Sequence, residues 1–286
     1  MPRTSRRRRR PTLVVALVAL PLLALAGPAT ASTTAKVVPP PPMGTFSHPT
    51  RIDNPYFPLV PGTEFTYTGT VTEAGKTVPH SIVFTVTDLT KVINGVTTRV
   101  VLDIDERSGQ VQEAELAFFA QDDNGTVWNM GEYPEEFDNG KFVGAPSTWI
   151  NGLAGARGGI HMLARPTVGT TYTEGLVPRI DFFDVTTVFA KGLRVCVPVN
   201  CYDNVLLTHE TSPLDPTSGI QTKFYAPGVG LIKIGAIGGD SQERVALSRL
   251  RTLSASALQS VDDQVRMMDR RGHRVSNVYA RTATVQ

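Results

Sequence analysis

Cysteine is scarce in this 286-residue chain: two residues, Cys196 and Cys201, with none before them. That excludes a lipid anchor on a processed N-terminal cysteine and a cysteine-rich disulfide or zinc framework. The five histidines stand alone at 48, 80, 161, 209 and 273, with no H-E-x-x-H or H-x-H pair, so no metal site is written in local spacing. No G-x-S-x-G elbow and no G-K-[ST] phosphate loop occurs, so no cofactor is implied. Apart from the N-terminus, no apolar run approaches the roughly eighteen residues of a spanning helix. Positive charge is also missing from the body. Residues 1–31 hold six Arg and no acid and residues 243–286 hold eight Arg against four acids, which leaves residues 32–242 at −8 behind a total of +2. An acidic body of this kind excludes a nucleic-acid-binding surface.

What is there begins with an address. Five consecutive Arg at 6–10 lead into the apolar residues 13–26, then Ala29, Thr30 and Ala31. A basic start, a short apolar stretch and an A-x-A exit define a secretory signal peptide with cleavage after Ala31. Fourteen helical residues reach only about 21 Å, short of a bilayer core of roughly 30 Å, so no stable membrane span is expected after cleavage. The mature protein is expected in the medium, the periplasm or the bacterial envelope. Residues 32–46, with Pro39 to Pro42 in a row, read as an extended spacer.

Residues 47–252 read as strands and turns. Ile82, Phe84 and Val86 alternate with Val83, Thr85 and Thr87. Val96, Val100, Leu102 and Ile104 alternate with Thr97, Arg99, Asp103 and Asp105, and Ala114, Leu116, Phe118 and Ala120 with Glu113 and Glu115. Period two marks strands with one buried face. Asn94 and Gly95, residues 107–110 and residues 122–125 supply tight turns, and Ala226, Pro227, Gly228 and Val229 fit a type II turn. About eleven such strands with short connections imply a single antiparallel curved sheet, a half-barrel or a barrel, since an open edge is a hazard. Residues 133–167, rich in Gly and Pro, read as a crossing loop or lid. Within it Gly152, Gly155, Gly158 and Gly159 around Arg157 read as a flexible connection, without the helix that would make them an anion cradle. Residues 253–272 read as a helix, with Leu258, Val261, Val265 and Met268 at helical spacing and Ser254 or Ser256 as cap. Residues 273–286 read as a flexible basic tail.

Three clusters are candidates for chemistry. Cys196 and Cys201 enclose a four-residue link between two strand-like runs, close enough across a hairpin for a disulfide; in an exported protein that bond is expected. Asp103, Asp105, Glu113 and Glu115 fall on one face of the 96–120 hairpin, where like charges repel unless something offsets them. That face is read as a solvated rim opposite the apolar one, with calcium or acid–base chemistry as minor readings. Tyr56, Phe57, Leu116, Phe118 and Trp128 are the candidate ligand-facing residues of an apolar concave face.

The string Ile52, Asp53, Asn54, Pro55, Tyr56, Phe57, Pro58, Leu59 with Pro61, Gly62 and Thr63 resembles the opening of a family of exported bacterial proteins of uncharacterised function. Further matches follow in order. Ala120, Gln121 and Asp122 with Gly125, Val127, Trp128, Gly131 and Glu132 resemble its central hairpin, Asp203 to Leu206 a later strand, and Tyr225 to Leu231 its closing turn. The resemblance spans roughly residues 47–238 and implies an exported β-rich domain, with no catalytic residues to carry over. Where that family has a Gly-containing turn, this chain has Cys196 to Cys201.

Together these features point to an exported, non-catalytic binding or envelope protein that takes an apolar small molecule. A secreted hydrolase with a fold-assembled site, or a structural surface protein, is the alternative. Two outcomes are expected of the secreted protein: a mature N-terminus following Ala31, and Cys196 linked to Cys201 in non-reducing peptide mass spectrometry, with free thiols at both positions counting against the bond.

Overall fold

The structure is a computed structural model that describes residues 38–215 and 217–286, so the expected signal peptide and the first part of the expected spacer lie outside the described residues. It contains β1 (Thr63–Glu73), β2 (Lys76–Ile93), β3 (Val96–Arg107), β4 (Gln110–Gln121), β5 (Val127–Asp138), β6 (Lys141–Gly144), β7 (Trp149–Ile150), β8 (Arg157–Met162), β9 (Thr171–Val177), β10 (Phe182–Cys196), β11 (Cys201–Thr211), β12 (Ile220–Ala226), β13 (Gly230–Ile237), β14 (Ser241–Thr252) and one α-helix, α1 (Ala255–Val275). The order β4-β3-β2-β1-β14-β13-β12-β11-β10-β9-β8-β5 closes through pairing of β5 with β4, giving a twelve-stranded antiparallel barrel. β6 and β7 pair with the parts of β5 that β8 does not reach. Among the described residues no helix is long and apolar enough to cross a membrane.

The mainly β reading holds, and the sheet closes fully. Asn94 and Gly95 make the expected turn with φ of 48° and 81°, the mirror-image geometry that two-residue hairpin loops require. Two staves, β1 and β8, are absent from the strands that periodicity marks. β8 lies in the stretch read as a lid, and its glycines are there for close packing. A Cβ on Gly158 would stand 2.3 Å from the Asn129 carbonyl oxygen, and one on Gly159 would stand 2.2 Å from that of Thr173. Gly158 and Gly159 therefore belong to a wall strand pressed against its neighbours, while Gly152 and Gly155 take positive φ of 83° and 81° in the turn that precedes it.

The hairpin register confirms one shared acidic face, with Asp103 opposite Glu115 and Asp105 opposite Glu113. Its direction is the reverse of the expected one. The acids point into the barrel, and the apolar face of Val100, Leu102, Leu116 and Phe118 points outward, fully buried. α1 covers it. Ser254 caps the helix by accepting a bond from the Ala257 N–H, and Val265, Met268 and Gly272 are its buried stripe. At Gly272 a Cβ would come within 2.7 Å of the Tyr279 ring.

The tail, read from sequence as flexible, is docked. Tyr279 is wholly buried and packs on Tyr133 and Phe118 at centroid distances of 4.5 and 6.2 Å. The Gln286 backbone exchanges two hydrogen bonds with Thr90. The clasp centres on Lys91, whose side chain has no exposure. Its Nζ donates to Asp269 Oδ1 at 2.8 Å and to the Ala283 carbonyl, and it lies 4.2 Å from the Tyr279 ring centroid. Tyr279 donates its hydroxyl to the same carboxylate oxygen at 2.8 Å, and the Val285 N–H bonds the other. Basic character did not make the tail loose, because one buried lysine and one buried carboxylate can be satisfied only when the tail is in place.

The spacer also ends on the barrel. Arg157 donates to the Pro40 carbonyl at 3.0 Å, and Thr173 to that of Val38 at 2.7 Å. Removing one partner of a buried ion pair typically costs about 3–5 kcal/mol, whereas replacing both by apolar residues is far milder. Asp269→Ala is therefore expected to lower stability in urea unfolding by about 3–5 kcal/mol, and the double variant Lys91→Met/Asp269→Leu by distinctly less; equal losses would deny the clasp its role.

Candidate functional site

The segment before β1 closes part of the barrel. Ile52 bridges to Leu59, and the buried Asn54 ties the loop down by donating from Nδ2 to the carbonyls of Gly125 and Leu163, while its Oδ1 accepts from the Tyr56 N–H. Phe57 is thereby pushed inward, its ring centroid 5.2 Å from that of Phe119 and 4.2 Å from that of His161. The opening string of the chain thus has a mechanical reason: it aims one aromatic ring into the lumen.

Below Phe57 lies a cavity of about 290 Å³. Its wall mixes apolar and acidic side chains, with Leu59, Ile82, Leu231 and Ile234 among the aliphatic ones. Phe57, Phe65, Tyr67, Phe84, Phe119 and Tyr225 supply aromatic surface, and Asp103, Asp105, Glu115, Glu132, Glu174, Asp184, Glu210 and Glu243 supply eight carboxyl groups. Lys223 and His161 are the basic groups on the same wall. A second cavity of about 340 Å³ adjoins it, sharing Asp105, Glu210, Gln221 and Glu243 and adding His80 and Arg107.

Two local networks partly satisfy these acids. Lys223 Nζ donates to Glu210 Oε2 at 2.7 Å, Thr186 donates to Glu174, and Ser212 donates to Asp184. His80, with a side chain only 2% exposed, bonds Glu243 through Nε2 at 2.9 Å and stands 3.5 Å from Asp105. Other atoms have nothing. Asp103 Oδ1, Asp105 Oδ1, His80 Nδ1 and His161 Nε2 are buried without a hydrogen-bond partner among the described residues. Such atoms normally find one.

Electrostatics follow from this crowding. Burial first, then the charges of Asp105 and Glu113, hold Asp103 well above the usual carboxylate range. Burial and then Glu132 and Glu113 do the same to Glu115. Glu113 is pushed up to about 7 by burial and Asp105, and Asp184 to about 7 by burial and Glu210. Glu210 runs the other way: burial is the largest influence and opposes its charge, but the Lys223 charge together with hydrogen bonds from Glu174 and Lys223 outweighs it, so its value is lowered. His161 falls to about 3 through burial and the nearby Lys223 charge and is neutral.

The sequence candidates divide accordingly. Phe57 faces the cavity. Leu116 and Phe118 do not; they sit on the outer face of β4, because Glu113, Glu115, Ala117 and Phe119 occupy the inner one. Trp128 is likewise outside the lumen, its indole N–H donating to Asp122 Oδ2 at 3.0 Å, while Asp122 Oδ1 accepts from Asn124 and Thr126 as the expected turn demands. Tyr56 is half-buried and donates its hydroxyl to the Asn204 carbonyl.

Asp103, Asp105, Glu113 and Glu115 are brought together, but inside the barrel rather than on a solvated rim. Among the described residues no three His, Cys, Asp or Glu converge as metal ligands, so the calcium reading finds no prepared site. Cys196 and Cys201 are disulfide-bonded as a cross-strand pair at the tip of the β10–β11 hairpin. Missed from sequence were Glu132, Glu174, Asp184, Glu210, Lys223, His161, His80 and Glu243, each on a different strand. The signal that could find them is parity: on a strand whose alternate residues face outward, every other polar residue faces inward.

No family model matches this chain, and no curated protein does. Two solved structures are similar to it. A protein from Bacteroides fragilis, described as exported and of YmcC-like fold, is 14% identical with a TM-score of 0.39 over 68% of this chain and 98% of its own. A protein from Parabacteroides distasonis, described as a lipoprotein, is 13% identical with a TM-score of 0.34 over 73% of this chain and 100% of its own. At these scores neither bears on what this chain does.

Carboxyls raised in the folded state bind protons that the unfolded chain has already released. The folded state is therefore favoured at low pH, and that advantage is lost as pH rises from the unfolded value near 4 through the folded value near 7 given for Glu113 and Asp184. The melting temperature is expected to be higher at about pH 5 than at about pH 8, and Glu115→Gln to flatten that slope; a profile rising toward pH 8 would contradict it.

Proposed function

We propose that this protein is exported by its signal peptide and works as a non-catalytic barrel that holds a small molecule in its lumen. One observation carries the reading: a closed barrel keeps a cavity of about 290 Å³ lined with carboxyl groups. A barrel of purely structural role fills its interior with side chains, and buried acids lacking partners lower stability without improving packing. Groups kept against stability are the usual mark of a site. The size matches the lower end of small-molecule pockets, about 300–1,000 Å³. The lumen offers apolar surface from Leu59, Ile82, Leu231 and Ile234 beside its aromatic rings, together with the acids.

A second reading, a secreted hydrolase, draws on Glu174 and Glu210, adjacent carboxyls driven in opposite directions, the pattern of an acid and a base. Turnover of a chromogenic ester or glycoside that disappears in Glu174→Gln would favour it.

Native mass spectrometry of protein purified from its own secretion medium is expected to show a bound small mass. That mass should be absent from Ala117→Phe, which fills the cavity. A clean apo mass for the wild-type protein, together with unchanged stability on filling the cavity, would remove the binding reading.

A further inference from the structure

The register of the first four staves arranges the cavity wall in levels. Phe65 is opposite Phe84, Phe84 opposite Asp103, and Asp103 opposite Glu115. All four side chains line the cavity. One level of the barrel therefore presents two aromatic rings, 6.0 Å apart and edge to face, continued without interruption by two carboxyl groups. Phe119 and Phe57 stand against this level from the end of the lumen.

The chemistry of the level is one-sided. Carboxylates accept hydrogen bonds and aromatic faces attract cations, so both halves ask for a donor and a positive charge. The donors of the wall serve other acids: Lys223 bonds Glu210 and His80 bonds Glu243. The one lysine of the cavity is held 2.7 Å from Glu210, and Asp103 Oδ1, on the wall and buried, has no donor. His80, 96% buried as a residue on the adjoining wall, has its Nδ1 equally unmatched. A divalent ion does not answer the need, since among the described residues no three ligands converge.

Resting on the reading that the lumen holds a small molecule, we propose that the ligand is a small organic cation, an amine with an apolar body. Its ammonium group sits on Asp103 and Glu115, and its body lies against Phe65, Phe84 and Phe119. The ammonium brings three donors and no acceptor, which satisfies the orphaned oxygen, and its charge offsets the crowded carboxylates. Without the ligand the same acids take up protons instead, in keeping with the upward shift of both. The amine thus competes with protons for one place.

The test uses three probes of matched shape: 2-phenylethylamine, 2-phenylethanol and 3-phenylpropanoate, titrated calorimetrically into the mature protein at about pH 8. The amine is expected to bind with the highest affinity, and its binding to weaken as pH falls. Asp103→Asn and Glu115→Gln should each weaken the amine by about tenfold or more while raising the melting temperature at that pH, because each removes a buried like charge. A merely structural role for these acids would move stability and leave binding alone. Equal or tighter binding of the alcohol or the carboxylate, lost in Ala117→Phe, would overturn the cation inference and leave the lumen a binding chamber. Absence of binding by all three probes, with a clean apo mass from the secretion medium, would overturn both.

Discussion

Carboxyl groups leave water at a high cost, and this barrel encloses eight of them around one cavity. Most other features of the molecule adjust to that constraint. In a cross-strand ladder, directly opposed acids repel, and here Asp103 opposes Glu115 and Asp105 opposes Glu113. The wall responds in three ways. Lys223 neutralises Glu210, hydroxyls of Thr186 and Ser212 bond Glu174 and Asp184, and Asp103 and Glu115 shift toward the protonated form. The lumen is therefore a cavity whose wall carries carboxyls held above their usual range beside aromatic rings.

The lumen wall mixes acids with apolar side chains, so the hydrophobic core continues across both faces of the sheet, from Phe57, Phe65 and Phe119 inside to Leu102, Leu116 and Phe118 outside. β3 and β4 turn Val100, Leu102, Leu116 and Phe118 outward, and α1 with the docked tail covers them. The clasp is itself polar at its centre. Lys91 is buried and unscreened, and its charge is tolerable only because Asp269, the Ala283 carbonyl and the Tyr279 ring converge on it. Helix, tail and sheet are thereby made interdependent: each supplies a partner that the others cannot do without. The lumen has the opposite economy, with polar atoms left waiting.

Much of the secondary structure was legible along the chain. Period-two alternation located most staves, the turn residues located most hairpins, and Ser254 with the 258–268 apolar spacing located the helix. The strands that escaped have physical reasons. β8 carries glycines because neighbouring backbones approach within contact distance of where a Cβ would be, and glycine erases periodicity. The acidic face was legible as a face, but alternation has no sign. It states that Glu113 and Glu115 lie together and Leu116 and Phe118 lie together, not which set is inside.

The sequence by itself determined a β-rich, acidic body, the disulfide-forming pair and the shared face of four acids, because each rests on spacing between neighbours in the chain. Only the tertiary structure decided that the sheet closes, that the acidic face is the inner one and that the tail is fixed. Those outcomes depend on contacts between residues more than a hundred positions apart. Lys91 meets Asp269, Glu135 meets Arg271 and His80 meets Glu243, and no local pattern records that such partners will face each other. Closure gives the alternation its sign: once twelve strands form a ring, one face must look inward, and the helix that covers the apolar face leaves the carboxylates the lumen.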